Sequence, residues 1–330
     1  MSILDGAERL NRRAAVVGIG TLAASAACWA RWSGTGWNSR MDRVASLCGE
    51  LRAHLDRRVT SESATIDIAH AILAGPTARQ GAWLDELRRR ALGNPHGSWI
   101  VSSDGSTRIR QHPRFGEAHP GQIVAYMGLA GLSAAPLAPG LPTWSELVAV
   151  AVAKAAHTQG ELGHLALGAA LICPDSKWRL AGGAELDLRA LLGLIDRSAH
   201  EETVCWGLHA CHAMALGGRL GVAAPELTSM ATAFLDRTLT PQLAPLLEVP
   251  CAFAIPGDDR GNTEGLALYA GHLLEVLSAC RGTRWLRVGR RQVDEAVDGL
   301  LRQLPPTVEL PVPVAAHLCR GLDQWHNAGG

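Results

Sequence analysis

Along most of the chain, apolar residues recur at intervals of three and four, the spacing that places them on one face of an α-helix. Met41, Val44, Leu47, Leu51 and Leu55 set this pattern and predict a helix over 40–58, with two more near 62–74 and 77–92. The third carries Arg88, Arg89 and Arg90 in its last turn, where cations suit the helix dipole, and stops at Gly93. The period then changes. Trp99-Ile100-Val101 and Thr107-Arg108-Ile109 flank the turn dipeptide Asp104-Gly105, which predicts one small β-hairpin near 98–110.

After Pro113 the helical period returns. Thr143 with Glu146, Thr158 with Glu161, and Ser198 with Glu201 have the spacing of capping boxes, in which a hydroxyl and a carboxylate satisfy orphan amides at a helix start. With prolines suited to first turns and glycines suited to helix ends, they predict helices near 120–132, 143–157, 159–172, 185–197, 199–216, 225–238, 241–248, 262–280, 290–303 and 311–326.

A longer period lies over this one. His119, His164 and His209 are 45 residues apart, as are His272 and His317; the intervening 63 include the Pro-rich stretch 240–262. Gly163-His164-Leu165, Gly271-His272-Leu273 and Ala316-His317-Leu318 are similar tripeptides, Leu208-His209-Ala210 is a looser one, and His119 precedes Pro120 at a helix start. A 45-residue unit holding two helices is typical of stacked arrays, where each unit buries its apolar face only against its neighbours. The expected fold is all-α: an α/α-toroid-like array of helix pairs, with an open HEAT-like solenoid as the alternative. Gly163, Gly168, Ala169 and Ala170 leave a slim histidine helix, which favours the crowded inner layer of a toroid.

At the N-terminus, Arg9, Arg12 and Arg13 precede an uncharged run over 14–30, short for a membrane span and long for a signal-peptide core. The expected organisation is a signal or anchor segment over 1–31, N-terminal helices and the hairpin over 32–112, and the helical repeats over 113–330. Localisation is then membrane-anchored or exported to the cell envelope. The 31 basic and 31 acidic residues cancel, so no net field attracts nucleic acid. Eight cysteines with no close pair read as core residues and not as a disulfide scaffold.

Ligand-type residues are densest over 200–212. At 100° per residue, Cys205, His209 and His212 share a narrow arc of one helix, a set able to hold zinc with a fourth position open. Two other readings stand beside it: a metal-free polar cavity wall, and a Cys205 nucleophile assisted by His209. His164, His209, His272, His317 and Trp206 are the candidate ligand-binding residues. Glu161 is a candidate acid or base with Asp175, although capping accounts for it, and the oxygen-rich turn 256–262 lacks the spacing of a calcium loop. Trp178, Trp206, Trp285 and Trp325 are candidate cavity-lining aromatics. No phosphate loop, dinucleotide fingerprint, nucleophile elbow or His-Glu-x-x-His run is present.

His119-Pro120-x-Gln122, Glu161-Leu162 followed by Pro174-Asp175-x-x-Trp178, Cys205-x-Gly207-x-His209, Gly271-His272-x-Leu274-Glu275 and Val314-x-x-His317 occur in that order over about 115–320. In these features the chain resembles uncharacterised exported all-helical proteins of planctomycete-type bacteria. The position three after the Cys-x-Gly-x-His histidine is usually aromatic in that family and is His212 here. The resemblance implies an α/α-toroid-like fold and export, and no activity. The function expected is an exported or membrane-tethered helical-repeat protein that binds a protein, small-molecule or polymer ligand in a central cavity or concave face. The alternative is a ring-centred His/Cys enzyme, a zinc-dependent hydrolase or transferase or a polymer lyase.

Overall fold

The computed structural model describes residues 36–93, 98–103, 106–134, 136–137, 139–155, 161–180, 183–198, 203–220, 225–257 and 262–327. The uncharged N-terminal run, the Asp104-Gly105 turn, Thr158, Glu201 and most of the acidic turn before Asn262 lie outside them.

The described chain is mostly helical, with two small antiparallel hairpins. In chain order it comprises α1 (Gly36–Arg58), α2 (Thr65–Leu73), α3 (Gln80–Gly93), β1 (Ile100–Ser103), β2 (Ser106–Ile109), α4 (Gln122–Leu129), α5 (Trp144–Ala155) and α6 (Gly163–Ile172). Then follow β3 (Lys177–Arg179), β4 (Glu185–Asp187), α7 (Leu188–Asp196), a 3-10 turn (Val204–Gly207), α8 (Leu208–Leu220), α9 (Pro225–Thr238), α10 (Thr240–Leu247), α11 (Thr263–Ala279), α12 (Arg290–Gln303) and α13 (Val312–Asn327). No described helix is long and apolar enough to cross a membrane.

The expected hairpin is present, with Ile100 opposite Ile109. A second one, with Trp178 opposite Leu186, was not expected. Its strands are three residues each, too short to show a period of two. The helix expected from 185 therefore starts at Leu188, with Asp187 as its cap: the carboxylate accepts from the Ala190 amide at 2.8 Å. The Thr143/Glu146 capping box forms as read. Glu161 differs. The helix expected from 159 begins at Gly163, so Glu161 stands before it and faces His119 and His164.

Helices bearing a central aromatic or histidine pack in succession: α2 on α4, α4 on α6, α6 on α8, α8 on α11, α11 on α13, and α13 on α2. The remaining helices cover them; α1 lies on α13, α3 on α2, α5 and α7 on α6, and α9 on α8. The central helices are nearly buried all round, as with every residue of α6 from Gly163 to Ala170. The covering helices are amphipathic; in α1, Val44, Leu51 and Leu55 are buried, each burial worth about 1.5–3 kcal/mol. Closest approach is between α11 and α13, where a Cβ on Gly271 would lie 2.6 Å from the His317 carbonyl carbon and one on Gly321 would lie 2.3 Å from the Gly271 carbonyl oxygen.

Candidate functional site

Six imidazoles and a phenol meet where the central helices converge. His70 comes from α2, Tyr126 from α4, His164 from α6, His209 from α8, His272 from α11 and His317 from α13, with His119 just before α4. Neighbouring ring centroids lie 3.7 Å apart for His164–His209, 4.5 Å for His209–His272, 3.8 Å for His272–His317 and 5.4 Å for His70–His317. His164, His209, His272 and His317, expected as ligand-binding residues, are thus brought together. All four are buried; His119 at the edge keeps 35% of its side chain exposed.

Hydrogen-bond partners fix where protons sit. His70 Nδ1 faces the Ile66 carbonyl at 2.8 Å, and a carbonyl can only accept, so the proton is on Nδ1 and Nε2 is bare. The Tyr126 hydroxyl donates to that Nε2 at 3.1 Å; having one hydrogen, it must accept from His317 Nε2 at 3.1 Å. His317 Nδ1 is then bare, 3.1 Å from Glu275 Oε1. A proton lies between them; burial raises the Glu275 carboxyl, while burial and the neighbouring His164 lower His317 far below its usual range.

Glu161 is the opposite case. Burial acts to raise its pKa, but contacts from His119 and His164 overcome this and hold it at about 2. Its Oε2 lies 2.5 Å from His119 Nδ1 and its Oε1 3.1 Å from His164 Nδ1. The ionised carboxylate draws the proton of His164 to Nδ1 and leaves Nε2 as a lone pair, buried and without a hydrogen-bond partner. His209 is lowered by burial and then by His164 and His272, His272 by burial and then by His317, and among the described residues neither ring is hydrogen-bonded.

Cys205 enters the site on unusual backbone. Cys205, Trp206 and Gly207 have φ values of 45°, 58° and 72°, a left-handed run that costs about 1–2 kcal/mol for each residue bearing a Cβ. It is braced by Gln242, whose amide donates to the Trp206 carbonyl at 2.8 Å, and by the Trp206 ring set edge-on to Tyr269 at 5.1 Å. Burial, then the nearby Glu161 charge, pushes the Cys205 thiol up to about 12. A thiol so held is a poor nucleophile, and His209, itself lowered, is a poor base for it.

The expected trio of Cys205, His209 and His212 does not form one ligand set. Cys205 lies outside the helix in left-handed backbone, so a 100° projection does not apply to it; His212 turns toward Glu275, with its Nδ1 3.9 Å from Oε2. The donor atoms of Cys205, His209 and His272 lie within 4.8 Å of one another, as do those of His272, Glu275 and His317. Asp175 is exposed in the turn beyond the far end of α6 and does not join Glu161. Of the four tryptophans only Trp206 borders the site; Trp178 is buried in the second hairpin, and Trp285 and Trp325 bond Thr232 and Asp294. His70, Tyr126 and the role of Glu275 were not read from the sequence. One signal was available: His70 precedes His119 by 49 residues, close to the 45-residue interval.

No protein-family profile, curated protein or solved structure matches the chain.

Proposed function

We propose that the chain is an α/α toroid whose histidine-lined centre is an acid–base catalytic site for hydrolysis or group transfer. The toroid reading is supported by the unbroken succession of contacts from α2 through α4, α6, α8, α11 and α13 back to α2. The catalytic reading rests on one observation: Glu161 orients His164 so that an unprotonated, unpartnered Nε2 points into a buried site. A general base has this geometry, a lone pair aimed inward and a carboxylate behind it to stabilise the imidazolium that forms. His119, 2.5 Å from the same carboxylate and about a third exposed, links it to solvent.

The test is a panel of chromogenic carboxylic and phosphate esters assayed with wild type, Glu161→Gln and His164→Gln. Turnover that falls at least about 100-fold in both variants is expected. A panel left untouched by wild type, or variants as active as wild type, would remove the reading.

Ligand binding without turnover is the second reading, favoured by the near-complete burial of His164, His272 and His317, which confines access to the edge at His119 and Cys205. We further propose that the uncharged run over 14–30 tethers or exports the protein, in keeping with its resemblance to exported helical proteins. Deleting residues 1–31 should move it from the membrane or envelope fraction to the cytosol.

A further inference from the structure

We propose that Cys205, His209 and His272 bind a zinc-class ion, with the fourth position left to water facing Glu161 and His164. This rests on the toroid centre being the functional site and adds the cofactor that completes it. Three independent features point to it. The donor atoms already lie within 4.8 Å, and ligands on one zinc stand about 2.0–2.3 Å from it, so side-chain movements of about 1 Å would close the set. The left-handed backbone at Cys205 is a local strain with no packing benefit to the sulfur, which stays partly exposed while the other described cysteines are buried. Such strain persists where a side chain must be aimed. Finally, among the described residues neither His209 nor His272 makes a hydrogen bond, so each neutral ring keeps a nitrogen lone pair open to an ion.

The alternative set of His272, Glu275 and His317 is less suited. Glu275 and His317 already share a proton, and His317 also bonds Tyr126, so a cation there would have to displace both. One thiol and two imidazoles select borderline-soft ions such as zinc over magnesium or calcium. Binding exchanges the thiol proton of Cys205 for Zn2+ and releases that proton to solvent; no electron moves. The Glu161–His164 pair would then stand beside the open position of the ion, which would supply Lewis-acid activation of water there.

The full-length chain, purified without an affinity tag, should carry about one zinc by elemental analysis; Cys205→Ser, His209→Ala and His272→Ala should each fall below about 0.2, while His212→Ala keeps its zinc. Cobalt added to the chelator-treated protein should give a thiolate-to-cobalt charge-transfer band that Cys205→Ser abolishes with the helical circular dichroism unchanged. Wild type below about 0.2 zinc with no cobalt band, or zinc lost in His212→Ala but kept in His272→Ala, would overturn the assignment. Zinc retained by Glu161→Gln together with unaltered ester turnover would uphold the metal and remove the acid–base reading. Turnover by a metal-free wild type would do the reverse.

Discussion

Burial raises the pKa of an isolated carboxyl, yet Glu161 sits at about 2 because two imidazole N–H groups face it. A depressed carboxyl contributes stability above its unfolded pKa, about 4.3, and that contribution is lost as pH falls toward 2. The histidines act in the same direction at higher pH. His70, His164, His209, His272 and His317 are all lowered, chiefly by burial, and His212 is lowered to about 4. The unfolded chain takes up protons near pH 6.5 that the folded chain refuses. The contribution of these lowered histidines is therefore full above about 6.5 and falls as the solution is acidified, by about 1.4 kcal/mol per pH unit for each, while His119, raised by Glu161, works in the opposite sense. Urea midpoints measured from pH 8 to 4.5 should drop steeply below 6.5, and His70→Asn should flatten the slope; a midpoint independent of pH would contradict this inventory of protons. Glu161→Gln should cost about 1–3 kcal/mol in the same assay, since it weakens the buried bond to His164 and the close contact with His119.

At the scale of elements, α11 and α13 approach so closely that only glycine fits at their crossing. Gly271→Ala would drive a methyl into the His317 backbone and shift the His272–His317 pair with it. A loss of about 1–3 kcal/mol is expected. Gly299→Ala in α12 is the control: the nearest heavy atom to an added methyl is the end of Arg302 at 3.9 Å, so helix propensity should raise stability by up to about 1 kcal/mol. Thermal midpoints moving in opposite directions would bear out both assignments. Element boundaries also show how far local signals reach. The span 225–238 of α9 and 290–303 of α12 were legible because Pro225 opens one and amphipathic spacing frames the other. The start of α6 was not: Glu161 lies before the helix and faces His119, 42 residues earlier, and His164, three residues later.

Across the whole molecule, Arg320 on α13 joins parts distant in sequence. Its guanidinium donates to the Leu73 carbonyl at the end of α2 at 3.2 Å and to the Leu129 carbonyl at the end of α4 at 2.5 Å, serving as a shared C-terminal cap. Arg320→Met should cost about 2–5 kcal/mol and should make α1 and α2 the first segments released in limited proteolysis, because these contacts help hold the N-terminal helices against the last one. Cleavage beginning elsewhere would show that α2 is held by other means.

By itself the sequence determined that this chain is mostly helical and that a histidine recurs along it, because periods of three to four and of about 45 are written in the order of residues. Only the tertiary structure decided which histidines meet. Cys205 and His272 are 67 positions apart, and their approach depends on a left-handed turn and on α8 lying beside α11. Partners then set the two carboxyls apart: Glu161 and Glu275 both stand three residues from a central histidine, yet the first is held low and the second is pushed up. Glu161 gains His119 from 42 residues away beside its local partner His164, and Glu275 gains His317 from the last helix, contacts that local spacing does not encode.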